Sequence, residues 1–214
     1  MDIQVWWSNL TGADRGLAAL LDEQERDRLE SLVRPADQGR FLVGAALVRV
    51  AVGAWLEVTP EAVVVDRTCA DCGRQHGRPE IRGPGTELPQ VSVSHSGVLI
   101  VVALAEGPVG VDVERIDASN DSWVLGEATF KMGAGDPQGH LLAAPSPGYR
   151  AALAVPAGSV PSVQTRSWLP ERPWVPQTTF ATDNSTTASS RAVRLCRSGG
   201  IGNRSPVPPS QDSV

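Results

Sequence analysis

At 214 residues the chain has room for one ordinary domain or two small ones, and its 41% apolar content is enough for a core. The net charge of −5 argues against general nucleic-acid binding, and it is uneven: residues 1–150 carry 13 basic and 21 acidic side chains, residues 151–214 carry 6 arginines and 3 acids. Met1-Asp2-Ile3-Gln4 does not read as a signal peptide, and the longest apolar run, Val98 to Ala105, is too short to span a membrane. The three cysteines, two of them in a C-x-x-C, do not read as a disulfide framework, so a reducing, cytoplasmic location is expected.

In chain order, Val5-Trp6-Trp7 predicts a short first strand. Asp22 to Val33 predicts a charged surface helix that Pro35 ends. Asp37 to Leu56 predicts a longer helix, apolar nearly all round and so packed on both sides. Arg40 and Arg49 interrupt it on opposite faces, nine positions apart. Val63 to Asp66 reads as a strand, and Cys69 to Gly85 as a loop rich in Cys, Gly and Pro. Val91–Ser94, Val98–Ala105 and Val109–Glu114 read as an antiparallel meander. Ser122 to Met132 predicts a helix capped by Asp121 or Ser122, with Gly133 at its end. Arg150–Val155 and Val163–Trp168 read as a final hairpin. The stretch 177–214, rich in Ser, Thr, Gly, Pro and Arg, predicts a disordered tail. No internal sequence repeat is evident.

Two short motifs carry the chemistry. In Gly110-Val111-Asp112-Val113-Glu114 the carboxylates alternate with valines, so on a strand both point to one face. Adjacent carboxylates repel unless a cation lies between them, and hard oxygens favour magnesium or manganese over zinc. Just upstream, Ser94-His95-Ser96 forms a turn that can meet an anion. Further on, Glu127 and the single lysine, Lys131, share a helix face one turn apart, as does Trp123. Each has a plainer explanation: a solvated acidic strand, a backbone-bonded turn histidine, a surface ion pair, a salt bridge for Arg40, and core packing for Trp123 and Tyr149. Cys69, Cys72 and His76 offer three soft ligands where tetrahedral zinc wants four, so a reduced loop without metal is expected there.

Together these segments resemble the Sfp-like 4′-phosphopantetheinyl transferases. Gly39-Arg40-Phe41-Leu42 to Leu47-Val48-Arg49 resembles the family's first basic helix. Gly77-Arg78-Pro79 resembles its Gly-Lys-Pro element, Val93-Ser94-His95-Ser96 its Ser-His-Ser turn, and Gly110 to Glu114 its metal strand. Trp123 to Gly135 resembles its Trp-x-x-Lys-Glu-Ala helix, with Gly126 for the first lysine, and Pro147 to Ala152 its late strand. The resemblance implies an α/β (α+β) chain of two similar halves, 1–108 and 109–176. The second half is shortened, because only eight residues separate Glu114 from Trp123 where the family has several tens.

The resemblance also implies a reaction: coenzyme A gives its phosphopantetheine arm to a serine of an acyl or peptidyl carrier protein, with Mg²⁺ (or Mn²⁺). Asp112, Glu114 and Glu127 would hold the metal. Glu127 would take the serine proton, and Lys131 would meet the phosphate. Ser94 and His95 would bind the diphosphate, and Arg40 and Arg78 the nucleotide end. A monomer acting without membrane or nucleic acid is expected. Two alternatives stand beside this: a remnant that binds coenzyme A or carrier protein without transfer, and a small zinc-stabilised interaction module.

Overall fold

A computed structural model describes residues 1–84, 87–116, 120–133 and 135–169. The tail expected at 177–214 lies outside the described residues.

The first strand, β1 (Asp2–Asn9), is longer than Val5-Trp6-Trp7 alone, and it buries side chains on both faces. Asn9 and Asp14 cap two short 3-10 turns that follow, each accepting from a backbone N–H two residues on. Helix α1 (Glu23–Ser31) starts where the Asp22 carboxylate accepts from Glu25 N. Helix α2 (Pro35–Leu56) has Pro35 in its first turn, where a missing N–H costs no intrahelical bond, and ends on Glu57 in the left-handed region at φ 57°. Its length and composition would allow a membrane crossing, but its apolar 18-residue window is 67% buried, which marks a core helix.

Strands β2 (Val64–Thr68) and β3 (Gln75–Arg82) pair antiparallel as a separate ribbon. Half of the expected 69–85 loop is therefore strand. Next come β4 (Gln90–Ser96), β5 (Leu99–Ala105) and β6 (Gly110–Arg115). Helix α3 (Asp121–Met132) is capped by Asn120, one residue ahead of the expected caps, through a bond from Trp123 N. The chain then forms β7 (Pro137–Leu142), which the sequence reading missed, β8 (Tyr149–Pro156) and β9 (Ser162–Ser167).

Besides the β2–β3 ribbon, the described strands form two larger sheets, ordered β4-β5-β1-β9 and β6-β8-β7. The expected meander breaks after β5: its second edge is already taken by β1, so β6 has no place there and pairs with β8. The expected final hairpin fails for the same reason. Both edges of β8 are filled, by β6 and β7, and β9 runs parallel to β1 at the far edge of the first sheet. Trp168 N donates to Trp7 O at 2.8 Å, and Arg166 lies over the Trp6 ring at 5.1 Å, both fixing that edge.

The chain is thus mixed α/β, stacked in four layers. α2 covers one face of the first sheet through Val43, Leu47 and Val52 against Ile100, Val102 and Leu104. The opposite face, with Ile3, Val5, Trp7 and Val101, packs on Val111, Val113, Leu153 and Val155 of the second sheet. α3 covers the outer face of that sheet with Val124, Ala128 and Met132. The sheet orders show a repeat of topology that the sequence hides. β1-α2-β4-β5 and β6-α3-β7-β8 both place the last strand in the middle, antiparallel to its two neighbours.

Gly110 sets how close α3 approaches β6. A Cβ there would lie 1.9 Å from Ala128 O and 2.5 Å from Met132 N, both backbone atoms that cannot turn aside. Gly110→Ala is expected to cost about 3 kcal/mol, the upper end for overpacking. The check is the denaturant midpoint, and an unchanged midpoint would contradict this contact.

Candidate functional site

The two sheets meet where edge strand β4 faces edge strand β6. The alternation Val91-Ser92-Val93-Ser94-His95-Ser96 turns three serines toward β6. Val111 N donates to Ser92 Oγ at 3.0 Å, and Val113 N donates to Ser94 Oγ at 3.3 Å. Serine hydroxyls thus satisfy edge N–H groups of β6 that no backbone partner reaches. Two of these serines also orient the carboxylates: Ser94 Oγ donates to Asp112 Oδ1 at 2.8 Å and Ser96 Oγ to Glu114 Oε2 at 2.7 Å. The role of Ser92 and Ser96 was legible in the Ser-x-Ser-x-Ser spacing, which the motif reading passed over.

As expected, Asp112 and Glu114 share a face while Val111 and Val113 lie in the core between the sheets. Lys131, in the last turn of α3, places Nζ 2.6 Å from Asp112 Oδ1 and 2.9 Å from Ser94 Oγ. The hydroxyl of Ser94 therefore donates once and accepts twice, so its capacity is filled by protein. It orients Asp112 here rather than facing an anion.

Among the described residues, buried Asp112 Oδ2 has no hydrogen-bond partner. Burial pushes the Glu114 carboxyl above its ordinary pKa; the Ser96 bond opposes this, and the negative charges of Asp112 and Glu127 add to it. A buried oxygen left without a partner, beside a second carboxylate on the same strand face, is the setting of a divalent cation, and hard oxygen donors fit magnesium or manganese. Glu127, half-buried on α3, is near enough to be felt by Glu114. The described group of three ligand atoms that all lie within 4.8 Å of one another is a different one, Cys69, Cys72 and His76.

Lys131, which bonds Asp112, also lines a cavity of about 430 Å³ that Asp112, Glu114 and Glu127 do not themselves line; its size is within the usual ~300–1,000 Å³ of small-molecule sites. Five basic side chains line it, Arg28, Arg40, Arg67, Arg78 and Lys131, with His76 and His95, and none of its described lining residues is acidic. In a chain of net charge −5 that is a local concentration of positive charge suited to a polyanion.

The arginines differ in how far they are committed. Arg40 donates to Gly97 O at 3.0 Å and to Asp37 Oδ1 at 2.6 Å, and remains half-buried. Arg78 donates to Val91 O, Lys131 O, Met132 O and Val109 O. Of its five N–H donors, two thus close the carbonyl end of α3 and two tie it to β4 and to Val109, just ahead of β6. Arg78 holds Lys131 in place first, and has one donor left for a ligand. Arg49, on the opposite face of α2 as its spacing predicts, is buried in a structural ion-pair network.

His95 lies at the cavity wall. Burial, with the nearby Arg40 and Lys131 cations, pushes its pKa from 6.5 down to about 4. The folded protein therefore keeps this imidazole neutral between those values, while the unfolded chain takes up a proton there. Stability is expected to fall as pH drops from 6.5 to about 4, and His95→Gln to flatten that slope. Denaturant midpoints of both proteins across this range check it; parallel slopes would contradict the neutral assignment.

The expected loop at Cys69 is closed by two backbone bonds: Gly73 N to Cys69 O and Cys69 N to Arg74 O, each 2.8 Å. Cys72 Sγ lies 3.0 Å from His76 Nε2.

Compared with known proteins, the chain matches no protein-family model and no curated protein sequence.

Proposed function

We propose that the chain transfers the phosphopantetheine arm of coenzyme A to a serine hydroxyl of an acyl or peptidyl carrier protein. The observation that carries this reading is the cation-lined, acid-free cavity whose wall residue Lys131 bonds the serine-braced Asp112. Attack at a diphosphate needs cations on its oxygens and a group to take the hydroxyl proton. Arg40 and Arg28 supply charge for a nucleotide phosphate, and Lys131 supplies a point charge beside the carboxylates. Glu127 is the acceptor for the serine proton. Asp112, Glu114 and Glu127 would hold Mg²⁺, which neutralises diphosphate charge when bound. The repeated β-α-β-β topology supports two similar α/β halves with the ligand between them.

A second reading has its own support. The Lys131 ammonium lies 2.6 Å from Asp112, where it neutralises that carboxylate without a metal. On this reading the chain binds coenzyme A and does not transfer it.

Incubation with coenzyme A, Mg²⁺ and apo carrier proteins, read by intact mass, separates the two. A phosphopantetheine mass gain on a carrier supports transfer. Coenzyme A binding without mass gain over a panel of carriers leaves the second reading, and absence of both overturns the pair.

A further inference from the structure

We propose that Cys69, Cys72 and His76 bind a zinc ion that pins the tip of the β2–β3 ribbon. Their ligand atoms all lie within 4.8 Å of one another. Tetrahedral zinc, with Zn–S of ~2.3 Å and Zn–N of ~2.0–2.1 Å, holds such atoms roughly 3.4–3.8 Å apart. The three side chains thus need only small rotations to take the ion. Two thiolates and an imidazole select zinc over the hard cations that suit Asp112 and Glu114.

The backbone holds these ligands in place. The paired bonds between Cys69 and Gly73 and between Cys69 and Arg74 close the turn that carries both sulfurs. Gly73, with φ 69°, takes the left-handed conformation that the turn requires. His76 follows at the second position of β3, next to the Gln75–Thr68 pair, and its N–H donates to Arg74 O at 3.0 Å. Cys69 is buried, while Cys72 and His76 are half-buried, so the ion lies at the surface edge. Among the described residues the group has three members, and water completes the tetrahedron, as at other zinc sites with three protein ligands. Binding releases the two thiol protons.

The location gives the ion a purpose beyond the loop. His76, Gly77 and Arg78 line the cavity in succession, and Arg78 closes α3. Pinning the ribbon tip therefore fixes the strand from which Arg78 reaches the carbonyls behind Lys131.

The test uses the full chain and no transfer assay, so its failure leaves the proposed transfer reading untouched. The protein is purified without chelator and its zinc measured by elemental analysis. It is then stripped, reduced and titrated with Co²⁺. One zinc per chain is expected, with a thiolate-to-cobalt band in the near ultraviolet and strong visible bands of tetrahedral Co²⁺. Cys72→Ser is expected to remove the thiolate band or halve it, and His76→Ala to weaken metal affinity by at least ~10-fold. Hydrogen exchange in residues 67–76 of the wild-type chain is expected to slow when zinc is restored, a readout that needs no variant to fold. A reduced chain that takes up neither metal overturns the proposal, as does a cobalt spectrum without thiolate bands or one unchanged in Cys72→Ser.

Discussion

On the proposed transfer reading, Asp112→Asn is expected to lower transfer by well over the ~10–100-fold that loss of a mere outer partner of a metal ligand costs. The amide is nearly the same size, so the packing of β6 against α3 survives. What changes is charge. Oδ1 of Asp112 accepts from Ser94 and Lys131, and its Oδ2 is the orphaned oxygen. An asparagine leaves the Lys131 ammonium, only 18% exposed, beside a neutral group and replaces a carboxylate oxygen with an N–H₂ donor. Intact-mass assays over a Mg²⁺ titration check this. Transfer at wild-type rate with an unchanged Mg²⁺ midpoint would show that Asp112 holds no metal. The double variant Asp112→Asn/Lys131→Met separates structure from chemistry: it relieves the unpaired ammonium, so stability recovers while transfer does not.

The largest expected effect on stability is at Arg49. Its side chain is 3% exposed, bonded to Glu25 at 2.8 Å, Asp22 at 2.6 Å and Val63 O at 2.5 Å. Asp22 is also the cap of α1, and Arg67 approaches Glu25 at 3.5 Å. Arg49→Met keeps the bulk of the side chain but leaves Glu25, itself 4% exposed, without its main counter-charge. About 3–5 kcal/mol is the usual cost of breaking a buried pair from one side. Denaturant midpoints of Arg49→Met, Glu25→Leu and the double variant check it. The pair should be clearly less destabilised than the sum of its parts; simple additivity would mean that the two charges do not depend on each other.

The local grammar of this chain was legible, and so was the antiparallel β4–β5 pair, but its longer-range pairing was not. Alternation placed Asp112 and Glu114 on one face, and helical spacing put Arg40 and Arg49 on opposite sides of α2. Both depend only on the geometry of one element. The meander and the final hairpin were misread because sequence proximity says nothing about which edges are already filled. β1 claims β5 before β6 can, and β6 and β7 leave β8 no edge for β9. At the site, Lys131 was singled out by its rarity, and it does meet Asp112. The commitment of Arg78 to the protein is invisible in the sequence, because the carbonyls of α3, β4 and Val109 converge on it only after folding. The Cys69 loop was read as lacking a fourth ligand, which spacing counts correctly, but spacing could not show the other three already gathered.

The parallel pairing of β9 with β1 bears on how the chain folds during synthesis. Asp2 lies opposite Ser162 and Trp7 opposite Ser167, so β1 receives its last neighbour only near the end of the described chain. Until then one edge of β1, carrying Val5, Trp6 and Trp7, has its backbone groups open to other strands. Closing so distant a pair is slow, because the entropy of a long loop must be overcome before the contact contributes. The interval between translating Trp7 and translating Ser162 is therefore when this protein is most exposed to strand-to-strand association with its own copies.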